Sequence, residues 1–271
     1  MLFLSGSCLK MSAATATVMA LTFSPVCQPP TPKPVTHRPR AAYRVSAPRR
    51  RVTSIKLTAL AANPIPSMPL QQPPPDCAKQ ACLALTFDDG PDPHLTPKLL
   101  DILAEHQVKA TFFVLGSQVA RYPELARRIA EEGHEIGNHS WGHGNFTKMK
   151  PAQMLQDITH TQDMLQAAGV TPPTLFRPPY GASNEAVRRT VPLAFTFWNI
   201  DPRDWKQQKP TELTASIMAA AKPGGIVVLH DIKSTTVAAA PEFITNLKQR
   251  YHLVTVSRLK PVTQSAGHAT R

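Results

Sequence analysis

Two adjacent carboxylates, Asp88 and Asp89, stand in the segment Thr86-Phe87-Asp88-Asp89-Gly90-Pro91, and further along two histidines stand four apart in His139-Ser140-Trp141-Gly142-His143. One carboxylate and two neutral imidazoles make a ligand set that holds a divalent cation while leaving coordination positions open to water. The other carboxylate is then spare. A spare carboxylate beside a metal that acidifies water is the general base that a metal-assisted hydrolase needs. Each half of the pattern has a plainer reading on its own. Histidines at i and i+4 share one face of a helix, where most are surface or satisfied core residues, and paired aspartates before Gly-Pro often mark only a turn.

Position in the chain favours the chemical reading. Cys82-Leu83-Ala84-Leu85-Thr86-Phe87 is a short apolar run broken by Gly90-Pro91, so the aspartates fall where a buried strand ends and opens into a cleft. Neighbouring side chains of an extended strand point to opposite faces. Both carboxylates serve one site only if the backbone turns there, which Gly90 and Pro91 make easy. Asp89 is read as the ligand and Asp88 as the base, although spacing alone allows the reverse. Three further polar clusters also close apolar runs: Arg177-Pro178-Pro179-Tyr180-Gly181, then Asp201-Pro202-Arg203-Asp204-Trp205, and Leu229-His230-Asp231 after Ile226-Val227-Val228. Five polar clusters at five strand ends suggest one site.

These five segments, in this order and at this spacing, resemble the motifs of the polysaccharide deacetylases, carbohydrate esterase family four. Lys109 to Val114 and Gly133 to Asn138 also look like that family, and the resemblance covers roughly residues 77 to 260. It implies that Asp89, His139 and His143 bind one divalent metal ion, zinc first, with cobalt, manganese or nickel as alternatives. Asp88 matches the catalytic base, and Arg177 the arginine that orients it and favours its charged form. The backbone N–H of Tyr180 matches the donor to the oxyanion. His230 matches the general acid and Asp204 its carboxylate partner, while Trp205 and Leu229 match the walls of the acetyl pocket. The implied reaction is removal of N-acetyl groups from N-acetylglucosamine units of a glycan, with release of acetate. Peptidoglycan is the first expected substrate, then chitin or chitooligosaccharides. The alternatives are an acetyl xylan esterase, a small-molecule amidase on the same fold, or a glycan-binding domain without catalysis.

Around these residues short apolar runs alternate with amphipathic stretches. Strands are expected at Leu83 to Phe87, Ala110 to Val114, Glu135 to Asn138, Leu175 to Arg177, Ala194 to Asn199, Gly225 to His230 and Leu253 to Val256. Helices are expected at Leu95 to Glu105, Val119 to Glu132, Pro151 to Ala168, Asn184 to Thr190, Thr211 to Ala221 and Pro241 to Arg250. Strand then helix, repeated, implies parallel strands with crossover helices. Polar clusters at strand ends place the site on the carboxyl face of a barrel, and the family resemblance implies an α/β fold of the irregular (β/α)7 type, a distorted TIM-like barrel.

The chain has 271 residues and a net charge of +12, but residues 1 to 75 hold nine Lys or Arg and no Asp or Glu. The remainder is close to neutral, at +3, which gives no support to a nucleic-acid groove. Residues 1–28 read as a signal or anchor segment and 29–76 as a Pro- and Arg-rich disordered linker, with an organellar transit peptide as the alternative. The catalytic domain is expected at 77–260, followed by a flexible tail at 261–271. The basic segment suits an anionic wall or membrane surface, and the expected location is the cell envelope or outside the cell. Cys77 and Cys82, at C-x4-C spacing just before the first strand, are a disulfide candidate, which implies an oxidising compartment.

Overall fold

The computed structural model describes residues 74–206 and 209–259; the leader, most of the linker and the 261–271 tail lie outside them. Seven parallel strands form one sheet: β1 (Cys82–Asp88), β2 (Thr111–Val114), β3 (Glu135–Asn138), β4 (Leu175–Phe176), β5 (Ala194–Phe195), β6 (Gly225–His230) and β7 (His252–Val254). The order is β5-β4-β3-β2-β1-β6, and β7 pairs with the first half of β1. Beyond β5 an isolated parallel bridge joins Ile200 to Val227 of β6. The two edges therefore meet, and the sheet is a distorted (β/α)7 barrel.

Every residue of β1 is buried, as expected of a central parallel strand covered on both faces. Leu83, Leu85 and Phe87 pack into the main core with Val227 and Leu229 of β6. By the period of two, Ala84, Thr86 and Asp88 face the other way, into the barrel. The helices supply the outer layer: α1 (Thr96–Glu105), α2 (Gly116–Arg121), α3 (Pro123–Glu131), α4 (Pro151–Ala167), α5 (Glu185–Thr190), α6 (Pro210–Ala220) and α7 (Ser234–Lys248). Among the described residues, no helix is long and apolar enough to cross a membrane.

Three expected elements come out differently, each for a physical reason. The helix expected over Val119 to Glu132 is two helices, divided at Tyr122 (φ −135°, ψ 59°), because Pro123 disfavours helical geometry in the residue before it. α7 begins at Ser234 rather than Pro241 and carries that proline in its interior. Its apolar strip runs straight through, with Val237, Ala240, Phe243, Ile244 and Leu247 all buried, and packing of that strip outweighs the roughly 3 kcal/mol that an interior proline costs. The strand expected over Ala194 to Asn199 stops at Phe195. The carbonyls of Thr196 and Phe197 accept from the Arg177 guanidinium, at 3.4 and 3.5 Å, rather than from a neighbouring strand.

Cys77 and Cys82 are joined as a disulfide. It closes a small loop at the amino end of β1, the end opposite the polar clusters. For a loop this short, chain-entropy arguments assign about 2 kcal/mol. Replacing both cysteines by alanine is expected to lower the unfolding free energy by about that amount in denaturant titrations, with the five-cluster face unchanged in activity.

Candidate active site

Strand register assembles the site. Asp88 is level with His230 of β6 and with Phe113 of β2, and Asn138 of β3 is level with Phe176 of β4. The residues that follow Asn138 and Phe176 are His139 and Arg177, so four polar side chains leave the sheet at one end. The chain turns at Asp89 itself, whose φ of 76° lies in the left-handed region that Asp tolerates better than most residues. That turn, one residue earlier than Gly90-Pro91, brings both carboxylates to the same side.

The two histidines lie on a loop, not on a helix face. Ser140 and His143 have φ of 76° and 60°, and the loop is tied down on three sides. Ser140 N–H donates to Asn138 Oδ1 (2.8 Å), Trp141 N–H to Asp157 Oδ1 (2.7 Å) and His143 N–H to Ser140 Oγ (2.9 Å). Nε2 of His139 and of His143 each stands 3.4 Å from Asp89 Oδ1, and the three ligand atoms lie within 4.8 Å of one another. His139 Nδ1 is 2.7 Å from the carbonyl of Arg177. A proton on Nδ1 satisfies that carbonyl and leaves the Nε2 lone pair facing Asp89.

The chemistry of this set fits a divalent cation. Asp89 Oδ1 is buried with no hydrogen-bond partner among the described residues, a costly state for a carboxylate that nothing neutralises. Burial works against the charge of Asp89, but the close imidazoles of His139, His143 and His230 outweigh it and hold its pKa below the ordinary range. Burial likewise depresses the pKa of His143, favouring the neutral imidazole that binds metal.

Asp88 is held by a different partner. The fully buried Arg177 donates from Nη1 to Asp88 Oδ1 (2.7 Å) and to Thr86 Oγ1 (2.7 Å), and its guanidinium lies 4.1 Å over the Phe113 ring. Across the cavity, Asp204 is 2% exposed and grips His230 twice, accepting its backbone N–H at Oδ2 and meeting Nδ1 at Oδ1, both at 2.8 Å. Thr236 Oγ1 donates to the same carboxylate at 2.7 Å. Burial opposes a charge on His230, but the Asp204 hydrogen bond and charge, with Asp88 and Asp89 behind them, raise its pKa to about 9. Its Nε2 lies 4.0 Å from Asp89 Oδ2, facing the metal ligands.

A cavity of about 490 Å³ is bounded by Asp88, Asp89, His139, His143, Tyr180, Trp198, Asp201, Trp205, Val228 and His230. Tyr180 has a left-handed backbone (φ 61°), and its exposed ring meets His143 edge-on at 4.4 Å. Leu229 is not part of this wall. It is fully buried in the core beneath the helices, and Val228, two residues before His230 and so on the same face, lines the cavity. The sequence assigns no role to Trp198, Asp201 or Val228, although Asp201 lies in one of the five clusters and the period of two counted back from His230 points to Val228. So did the buried Asp231, whose pKa is raised to about 7: burial is the main cause, the Thr96 hydrogen bond and its own amide oppose it, and Asp89 and Asp88 add to it.

This fold and site define a class. The profile of the polysaccharide deacetylase family matches residues 76–194. Over 184 residues the chain is 43% identical to the peptidoglycan-N-acetylmuramic acid deacetylase PdaC of Bacillus subtilis, covering 68% of this chain and 39% of PdaC. It is 40% identical over 186 residues to a peptidoglycan-N-acetylglucosamine deacetylase of Bacillus cereus, covering 65% of this chain and 87% of that protein. A solved structure, the T48 deacetylase with substrate, superposes with a TM-score of 0.65 at 41% identity, over 68% of this chain and 92% of that one. The chain belongs to the polysaccharide deacetylase family. It spans less than half the length of PdaC.

Two outcomes follow from the buried charges. Arg177→Leu leaves Asp88 buried without its cation and is expected to cost about 3 kcal/mol or more in denaturant unfolding, with part regained when Asp88→Asn is added. In the metal-free protein the His230 ring is charged below its pKa and neutral above it. An NMR titration should give a midpoint about 9, and Asp204→Asn should move it down by at least about one unit through loss of the pairing charge. A bound dication opposes the ring's charge, so the loaded protein should titrate lower than the metal-free form.

Proposed function

We propose that this chain is a metal-dependent N-deacetylase that removes acetyl groups from N-acetylglucosamine units of a polysaccharide, with peptidoglycan the foremost substrate and chitooligosaccharides next. One observation carries the reading. A three-ligand cation set, a separately held carboxylate and a histidine of raised pKa all face one cavity. Asp89, His139 and His143 would hold the cation, zinc being the best match to one carboxylate and two imidazoles. When bound, zinc lowers the pKa of water to about 7 and polarises a carbonyl.

The side chains divide the remaining work. Asp88, fixed by Arg177, takes a proton from the attacking water. The Tyr180 N–H donates to the oxygen that becomes negative as the acetyl carbonyl turns tetrahedral. His230, kept protonated by Asp204, gives its proton to the sugar nitrogen, without which the amine leaves poorly. Acetate and a free amino sugar result. Tyr180 and Trp205, exposed at the cavity edge, offer flat apolar faces to a sugar ring, and Trp205 and Val228 offer the acetyl methyl an apolar wall. Residues 77–260 form the catalytic domain in this reading. The disulfide and the wall-directed substrate favour an exported protein acting at the cell envelope, with the basic amino-terminal segment lying against an anionic wall or membrane surface.

The test is acetate release from peptidoglycan and chitooligosaccharides side by side. Chelation should abolish it and added zinc restore it. Asp88→Asn should keep its zinc but lose about 100-fold or more in kcat; full activity in that variant rejects Asp88 as the base. A chain that binds glycan without releasing acetate under any metal would be a binding domain instead.

A further inference from the structure

Asp231 is fully buried and directly follows His230, yet none of the chemistry proposed above uses it. Its carboxyl lies against the backbone of the loop that carries Asp89. A Cβ placed on Gly90 would sit 2.1 Å from Asp231 Oδ2 and 2.4 Å from Oδ1, closer than non-bonded atoms approach. Only a glycine fits there while the carboxyl stays in place. At the far end of the same loop, Thr96 Oγ1 donates to Asp231 Oδ2 at 2.5 Å, and the same Thr96 oxygen accepts the Asp92 N–H at 2.7 Å. Asp92 in turn accepts the amides of His94 and Leu95 at its own carboxylate, both at 2.8 Å. One buried side chain therefore braces the loop at Gly90 and, through Thr96, at Asp92.

The loop needs a brace because its first residue is in a left-handed conformation at the point where a metal ligand must be aimed. Asp89 has φ 76° and is held on the sheet side by its N–H to Phe113 O (3.2 Å), while Gly90 O accepts from Leu115 N–H (3.0 Å). Those bonds fix one edge of the turn. The opposite edge rests on Asp231, whose Oδ1 has no hydrogen-bond partner of good geometry among the described residues. A buried carboxyl oxygen without a partner is costly, and a hydrophobic side chain would fill the space more cheaply, were filling the only role.

We propose that Asp231 is a positioning residue for the metal site: through Thr96 and by contact with Gly90 it holds the Asp89 turn, and so sets cation affinity. The inference rests on the reading of Asp89, His139 and His143 as a metal site. It assigns Asp231 no contact with substrate. A supporting group of this kind changes metal affinity by about 10- to 100-fold when removed, and the loss is repaired by raising the metal concentration, whereas loss of a reacting group is not.

The measurement is zinc affinity of the full chain by competition with a chromophoric chelator, alongside kcat and KM at rising zinc. Asp231→Ala should bind zinc about tenfold more weakly or worse, recover its kcat at saturating zinc, and keep its KM. Asp231→Asn retains the shape and an acceptor for Thr96 and should stay within about threefold of the wild type in zinc affinity. Gly90→Ala should weaken zinc in the wild-type background and add little in the Asp231→Ala background, where the methyl has room. If Asp231→Ala fails to fold, Thr96→Val carries the test, since it removes only the bridging hydroxyl, and weaker zinc at unchanged KM is expected. Wild-type zinc affinity in Asp231→Ala, or in Thr96→Val where that variant is used, overturns the proposal and leaves the metal site standing. A wild-type chain that binds no zinc overturns both.

Discussion

The guanidinium of Arg177 is the contact on which the rest of the site leans. It is fully buried, and a buried cation survives only where its charge and its donors are matched. Here Asp88 matches the charge, while Thr86 and the carbonyls of Thr196 and Phe197 take donors. Each partner is thereby fixed to an element: Thr86 and Asp88 to β1, the two carbonyls to the segment after β5. The backbone carbonyl of Arg177 itself faces His139 Nδ1. One residue thus joins Asp88, His139 and the irregular edge of the barrel, and β5 ends at Phe195, where the next two carbonyls turn to the guanidinium.

The electrostatics of the cavity follow from keeping its two carboxylate systems apart. Asp88 and Asp89 are neighbours in sequence, and two bare carboxylates in one buried pocket would drive one of them to protonate. Arg177 answers Asp88, whereas the imidazoles and, when present, a cation answer Asp89. Asp204 lies buried behind His230, where it also accepts from Thr236. Each charge has its own counter-charge: Arg177 for Asp88 and Asp204 for His230.

Much of this was legible in the sequence, and the failures are instructive. The strand and helix alternation followed directly from apolar runs, and β3 and β6 match their expected bounds residue for residue. The clusters at strand ends did converge. What spacing does not encode is local geometry. The histidine cluster does follow a strand, as expected, but Asn138, Ser140 and Asp157 set the path of its loop through contacts that no periodicity carries. Leu229 was placed in the pocket by resemblance, whereas alternation along β6 puts Val228 there. The sequence does not show what Asp231 does, because its partners Gly90 and Thr96 are distant in the chain and only the β1–β6 pairing brings them near.

The backbone shows where the fold concentrates its strain. Non-glycine residues with left-handed φ include Asp89, Ser140, His143, Tyr180 and Arg203, one or two in each of four of the five polar segments. Such conformations cost about 1 kcal/mol or more apiece and persist only where the surroundings over-determine them. Beneath these turns β1 and β2 are buried along their whole length and β3 and β6 nearly so, and they provide that rigidity. Each turn redirects the chain just after a strand or its edge, swinging a side chain or an amide from the sheet direction into the cavity. The barrel's stability is therefore drawn on mainly at its carboxyl end; at the amino end, closed by the disulfide, Gln107 is the one non-glycine residue with left-handed φ among the described residues. A fold arranged this way can tolerate changes on its outer helices that leave the core filled, but not changes that let one of these four turns relax, since each sets the direction of a group that must meet the others within a few ångströms.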